Sequence, residues 1–208
     1  MKTKIQKILN SEGEELKEKG HPTILKELLD SDLPPREKEI QRLGDEAQTV
    51  LGAGLETTAW ALTVASFHIL NDQQILERLL AELGEAIPNP QAELEWQQLE
   101  KLPYLTACIQ EALRLLYGVT ARHPRISCQV AIRYKEWSIP PSTPVSMTTV
   151  DIHHDEHIYP DSHKYIPERW LSNPQTKDGY PLNRFLVSFG KDARSCLGIK
   201  YVIYEPIM

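Results

Sequence analysis

A long helical repeat of apolar residues constrains the fold of this chain more than any other feature. Pro34 and Pro35 predict a helix start, and apolar side chains then recur with a helical period from about 37 to 70. After Val50 the pattern becomes apolar on all sides, which is typical of a helix that crosses the middle of a core. The sequence therefore predicts a helical domain built around this segment.

Shorter elements follow the long helix, and their order predicts the fold class. We expect helices at 72–83, 96–100 and 103–116, then short strands at 129–134, 137–139 and 144–147. Prolines at 160, 167, 174 and 181 then indicate a loop-rich stretch. The predicted fold is mainly α with a small β-sheet region. We expect one domain over 1–208, divided into a charged helical N-terminal segment (1–33), a helical core (34–125), a strand region (126–150) and a loop-rich region (151–208).

Charge and cysteine content exclude several functional classes. The net charge is -6 without a basic stripe, which argues against nucleic-acid binding. Cys108, Cys128 and Cys196 have no paired spacing, so we expect no disulfide framework and a reducing compartment. The N-terminus has no apolar region typical of a signal peptide. The longest run of the whole chain without a formal charge, Thr57 to Leu70, is shorter than the ~20 residues of a membrane span. The sequence alone therefore predicts a cytoplasmic chain without a membrane span.

A ten-residue stretch near the C-terminus, from Phe189 to Gly198, indicates a thiolate ligand. Cys196 precedes a predicted helix, whose dipole and free N–H groups stabilise a thiolate. Phe189 can shield the sulfur from water and Gly190 permits a tight turn, while Arg194 suits a bidentate pair with a haem propionate. Taken alone, the cysteine would be interpreted as a buried structural thiol. The whole pattern predicts a cysteine that holds haem iron and supports dioxygen activation.

Two upstream motifs carry polar side chains on helices. Glu56 and Thr57 follow Gly54 in the long helix, and an adjacent carboxylate and hydroxyl can hold water and relay protons. Glu111 and Arg114 lie three residues apart, so they share one helix face. By itself such a pair is more often an exposed ion pair that contributes little stability.

With these motifs in this order, the chain resembles the cytochrome P-450 superfamily, haem-thiolate monooxygenases. The run Gly52 to Trp60 and the run Leu102 to Ala107 are most similar to fungal members of secondary metabolism, including those that oxidise terpenoids. Asp192 stands where the family usually has glycine. The resemblance implies the C-terminal portion of that fold, truncated at both ends.

The resemblance assigns roles to particular residues. It implies haem b (iron protoporphyrin IX) with Cys196 as the axial ligand, and proton delivery by Glu56 and Thr57. Arg169, in Pro167-Glu168-Arg169-Trp170, would complete a structural network with Glu111 and Arg114. The implied haem-binding residues are Phe189, Gly190, Arg194, Cys196, Gly198, Arg122 and Arg125, and the implied substrate-pocket residues are Ala53, Gly54, Val119 and Thr120.

The resemblance also implies partners. An NADPH-dependent reductase would supply electrons, with Lys191 and Lys200 facing its acidic surface. Dioxygen and a small apolar molecule would be the substrates. Full-length relatives are usually anchored to the endoplasmic reticulum membrane by a segment that this chain does not contain.

Two alternatives compete with an active monooxygenase. The first is a truncated, catalytically inactive remnant with weak or no haem binding. The second is a zinc hydrolase, because His153, Glu156 and His157 form a His-x-x-Glu-His pattern that binds zinc when it lies on a helix. Tyr159-Pro160 leaves that helix little room.

Overall fold

The computed structural model describes residues 24–89 and 96–199. The chain divides into two compact units, Met1–Glu56 and Thr57–Met208, and the boundary falls inside the longest helix. Its helices are α1 (Ile24–Asp30), α2 (Ile40–Asn71), α3 (Gln73–Ala86), α4 (Trp96–Leu99), α5 (Pro103–Leu115) and α6 (Thr149–His153). Single 3₁₀ turns lie at Pro35–Lys38, Pro167–Trp170, Leu182–Phe185 and Asp192–Arg194.

The strands are short and form two separate antiparallel pairs. Strand β1 (Arg125–Ile126) pairs with β4 (Pro144–Val145), and β2 (Ile132–Tyr134) pairs with β3 (Trp137–Ile139). The β2–β3 hairpin turns through two residues, so Tyr134 lies opposite Trp137. The predicted fold class, mainly α with a small β region, is confirmed. The strand predicted at 129–134 is shorter, and the helix predicted to follow Cys196 lies mostly outside the described residues.

Helix α2 is less buried than its sequence pattern predicts. Only Leu43, Gly44, Thr58 and Ala61 are buried along it. Leu55 is 75% exposed and Phe67 is 62% exposed, so in this chain α2 does not cross the middle of a core. By length and composition the helix could also cross a membrane, a test that core helices of globular proteins pass as well. The all-round apolar pattern is therefore not matched by packing partners in the part of the chain that the structure describes.

Helix α5 is the centre of the second unit. Its core side chains contact three clusters: one with Ala61 of α2, one with Ile75 and Leu79 of α3, and one with Trp170 and Tyr159 from the loop-rich region. Burial of apolar area of this kind supplies most of the stability of a small fold. Of its polar side chains, Glu111 and Arg114 are buried, whereas Thr106 and Gln110 are half-buried.

The start of α5 is held by a carboxylate from its neighbour α3. Pro103 occupies the first turn, where its missing N–H costs nothing. The carboxylate of Glu82 accepts hydrogen bonds from the backbone N–H groups of Tyr104 at 2.7 Å and Leu105 at 2.8 Å. Because a negative charge is favoured at a helix N-terminus, this contact fixes α5 against α3.

Candidate functional site

The carboxylate of Glu111, on helix α5, lies at the centre of a buried polar network. The residue is 0% exposed. Its Oε1 atom accepts hydrogen bonds from Arg114 Nη2 at 2.8 Å, Arg169 Nε at 2.9 Å and the Ile166 N–H at 3.0 Å. Its Oε2 atom accepts from Arg114 Nε at 3.0 Å and Trp170 Nε1 at 2.8 Å. A buried charge is tolerated only with partners of this quality.

Arg114, one turn further along α5, uses all of its donors. Besides the two bonds to Glu111, its Nη1 atom donates to the carbonyl oxygens of His153 at 2.8 Å and Ser162 at 2.6 Å. Its Nη2 atom also donates to the carbonyl of Lys164 at 3.0 Å. Since a guanidinium has five N–H donors, none is left over. One side chain thus holds three separate points of the loop-rich region against α5.

Arg169 closes the network from the loop-rich side. Its Nη1 atom donates to the Pro160 carbonyl at 3.0 Å while its Nε atom bonds Glu111. Burial works to raise the pKa of Glu111, but the hydrogen bonds and charges of Arg114 and Arg169 outweigh it and lower that pKa. The structure therefore brings together the three residues expected to form a structural network, with the carboxylate ionised.

The segment around Cys196 forms a tight loop with an exposed sulfur. The backbone N–H of Cys196 donates to the Phe189 carbonyl at 2.8 Å, which closes the loop. Gly190 has a φ of 71°, a conformation that favours glycine. A Cβ atom at Gly198 would lie 3.8 Å from the sulfur, so glycine leaves that side of the sulfur uncovered. The Cys196 and Arg194 side chains are both exposed.

Two contacts attach this loop to helix α5. The Phe189 ring packs on the cluster formed by Ala61, Leu113 and Leu116. The hydroxyl of Ser188 donates to the carbonyl of Leu113 at 2.7 Å. The loop backbone is therefore fixed while the thiol remains open to a ligand.

His153 is buried and does not form a zinc site with His157. Helix α6 ends at His153, so the two histidines do not share a helix, and His157 is exposed whereas His153 is 0% exposed. The His153 Nε2 atom accepts a hydrogen bond from the backbone N–H of Val187 at 3.1 Å. No group of three His, Cys, Asp or Glu side chains among the described residues could hold a metal ion. The zinc alternative is wrong because the motif lies where the helix has already ended.

Other residues expected at the site do not converge on a single pocket. Val119, Thr120 and Arg122 are exposed, and Arg125 lies exposed in strand β1. The second unit has an open cleft of about 340 Å³, but it is lined by Asp72, Gln74, Ile75, Arg78, Tyr104, Tyr165, Ile166 and Glu168. None of these is an expected pocket residue.

The proton-delivery motif lies at the boundary between the two units. Ala53, Gly54 and Glu56 are at the end of the first unit and Thr57 begins the second, all within α2. Lys191 is exposed beside the cysteine loop, and Lys200 lies outside the described residues. The roles of all these residues remain predictions.

Comparisons with known proteins agree on one family. A sequence model of the family described as Cytochrome P450 matches residues 1–201. The chain is 49% identical over 187 residues to Cytochrome P450 monooxygenase sdnE of Sordaria araneosa, covering 89% of this chain and 36% of that protein. It is 43% identical over 209 residues to Cytochrome P450 monooxygenase astB of Talaromyces wortmannii, covering 97% and 41%. Among solved structures, retinoic acid bound cyanobacterial CYP120A1 has a TM-score of 0.75 at 26% identity, covering 93% of this chain and 44% of that chain.

The fold, the buried Glu111 network and the cysteine loop together define a protein of the haem-thiolate class. The match along almost its whole length shows that the chain belongs to the cytochrome P450 family. It spans 36% and 41% of the length of the two curated relatives described above. The resemblance inferred from the sequence is therefore confirmed.

The cysteine loop fits the cofactor that this family implies. A thiolate that binds haem iron needs a sulfur that is free on one side and a backbone that does not move. Cys196 meets both conditions, since its side chain is exposed and its N–H is bonded within the loop. The exposed guanidinium of Arg194, two residues away, is suited to a propionate.

We expect Glu111→Ala to destabilise the second unit strongly. Removing the carboxylate leaves Arg114 buried without its charge partner, and breaking a buried pair in this way costs about 3–5 kcal/mol. Urea unfolding followed by circular dichroism measures the loss. As a control, Lys164→Ala removes an ion pair whose side chains are 70% and 57% exposed, and should change the free energy of unfolding by less than about 1 kcal/mol. Equal effects of the two variants would contradict the structural role of Glu111.

The free energy of unfolding should fall in acid partly through His153. Burial, followed by the positive charge of Arg114, lowers the pKa of His153 to about 4. The unfolded chain, with a histidine pKa near 6.5, takes up this proton first, so the contribution is present above that pH. It is lost as the pH falls towards 4, by about 3 kcal/mol in total.

The His153→Gln variant isolates this contribution. Glutamine does not titrate, so the difference in free energy of unfolding between the natural chain and the variant should shrink between pH 7 and pH 4.5. Urea titrations at several pH values measure it. A difference that stays constant over this range would show that His153 does not titrate as described.

Proposed function

We propose that this chain forms the haem-binding part of a monooxygenase that hydroxylates a small apolar molecule. The observation that supports the proposal most is the exposed Cys196 thiol on a loop fixed to helix α5. A haem bound through a thiolate supplies the chemistry of dioxygen activation. Names of relatives such as Cytochrome P450 monooxygenase sdnE agree with this reaction class.

The residues of this chain would hold and orient the cofactor. Cys196 binds the iron through its thiolate, and Arg194 pairs with a propionate. Arg122 and Arg125 are further candidates for the propionates. Phe189, whose ring packs against the core, is the residue assigned to shield the sulfur from water once haem is bound.

Proton delivery is assigned to α2. Glu56 can take up a proton from solvent, since its side chain is exposed, and the hydroxyl of Thr57 can pass it on. The family resemblance assigns Ala53, Gly54, Val119 and Thr120 to the substrate pocket, and terpenoids or other secondary metabolites are the proposed substrates. An NADPH-dependent reductase would supply electrons, with Lys191 at its acidic surface.

A catalytically inactive remnant is the second candidate. Leu197, adjacent to the proposed ligand cysteine, is 104% exposed, and it belongs to none of the core clusters of the described residues. Weak or absent haem uptake by the isolated chain would favour this alternative.

Haem uptake through Cys196 is the direct test. The chain reconstituted with hemin should give, after reduction and carbon monoxide addition, the strongly red-shifted Soret band of a thiolate complex. Cys196→Ala should lose that band, whereas Cys128→Ala, which removes the other exposed cysteine, should keep it. A band that survives Cys196→Ala would refute the assignment of the ligand.

Proton delivery predicts a specific defect in Thr57→Val. In the whole protein with its reductase, this variant should consume NADPH at a similar rate and form at least about tenfold less hydroxylated product, because the hydroxyl that transfers the proton is gone. Thr63→Val, a control further along α2, removes a hydroxyl that bonds the carbonyl of Ala59 and should leave the ratio of product to NADPH unchanged. Normal product yield in Thr57→Val would contradict the role.

A further inference from the structure

His153 connects the buried arginine network to the cysteine loop. Its backbone carbonyl accepts from Arg114 Nη1 at 2.8 Å, and its ring Nε2 accepts from the Val187 N–H at 3.1 Å. Val187 lies two residues before Phe189, whose carbonyl receives the Cys196 N–H. One residue therefore contacts both the network that stabilises the fold and the segment that carries the cysteine.

Histidine is a costly residue at this position. The side chain is 0% exposed, and its Nδ1 atom has no hydrogen-bond partner among the described residues. A buried donor without a partner destabilises the folded state. An apolar side chain would avoid that cost and fill the same space, so packing does not explain the ring. The ring instead provides a neutral acceptor, Nε2, for the backbone N–H of Val187.

The Val187 N–H requires such an acceptor. It lies in an irregular segment, between the turn Leu182–Phe185 and the turn Asp192–Arg194, where no strand or helix supplies a carbonyl for it. Val187 is half-buried, and a backbone N–H that loses its partner where water has limited access is destabilising. Without the imidazole, this part of the chain would lose one of its polar attachments, while the Ser188 hydroxyl and the packing of Leu186 and Phe189 remain.

We propose that His153 is a positioning residue for the thiolate ligand: its neutral imidazole fixes Val187 and thereby the start of the Cys196 loop. The effect on the thiolate ligand rests on the proposed haem-binding function. The effect on the backbone of the loop does not require haem. We expect the loop to loosen when the acceptor is removed, while helix α5 remains protected. The thiolate then dissociates from the iron more readily or becomes protonated.

The test compares two side chains that differ in the position of their amide. Glutamine at 153 can place an oxygen near the position of Nε2, whereas asparagine reaches only as far as Nδ1. Hydrogen exchange of the full chain without haem, measured by mass spectrometry, should show the peptide containing Val187 to Gly190 exchanging about tenfold faster in His153→Asn than in His153→Gln. Peptides from Pro103–Leu115 should exchange alike in the two variants. Equal exchange of the Val187 peptide in both variants would overturn the proposal.

A second measurement separates this proposal from the haem-binding function. In hemin-reconstituted chains under carbon monoxide, His153→Asn should convert from the red-shifted thiolate band to the blue-shifted band of a lost thiolate several-fold faster than His153→Gln. His157→Asn, an exposed neighbour, should behave like the natural chain. If the natural chain takes up no haem but the exchange difference is present, the haem-binding function fails and the positioning of the loop stands. If haem binds and both variants lose the thiolate band at the same rate, the positioning role is refuted.

Discussion

The carboxylate of Glu111 is the interaction on which the second unit depends. It is 0% exposed and accepts five hydrogen bonds, two of them from its helical neighbour Arg114. Removing a charge from water is expensive, and only donors in good geometry offset the cost. Because Arg169, Trp170 and the Ile166 N–H come from a region without regular structure, that region has to fold around the carboxylate for the charge to be satisfied.

The same network explains how a long irregular segment can be ordered. Between α6 and the cysteine loop there is no helix longer than a single 3₁₀ turn among the described residues, so the backbone hydrogen bonds there are confined to turns and isolated contacts. Arg114 adds hydrogen bonds to the carbonyls of residues 153, 162 and 164. The Arg114 side chain therefore pairs backbone carbonyls that a regular helix or strand would otherwise pair. The order of the loop-rich region is thus encoded by a few polar residues rather than by periodicity.

This difference accounts for what could be predicted from the sequence. Helices α2, α3 and α5 are predicted by apolar periodicity. The three-residue spacing of Glu111 and Arg114 predicts that both side chains lie on one face of α5. The third member, Arg169, was expected only from the family resemblance, because a contact between residues 58 positions apart leaves no local pattern. The contact between the His153 ring and the Val187 N–H was not predicted. The spacing of His153, Glu156 and His157 predicted a zinc motif on a helix, whereas α6 ends at His153.

The exposed face of α2 shows where sequence pattern and structure disagree for a physical reason. Apolar residues on all sides predict burial, yet Leu55 and Phe67 are largely exposed. The apolar pattern shows that these residues are suited to a buried environment. The described residues of this chain do not provide the packing partners that would bury them. The chain spans 36% and 41% of the length of two curated relatives. The cysteine loop differs, because both of its contacts, that of Ser188 with Leu113 and that of the Phe189 ring with Ala61, Leu113 and Leu116, lie within the second unit. The backbone of this loop therefore does not depend on the exposed face around Leu55 and Phe67 being covered.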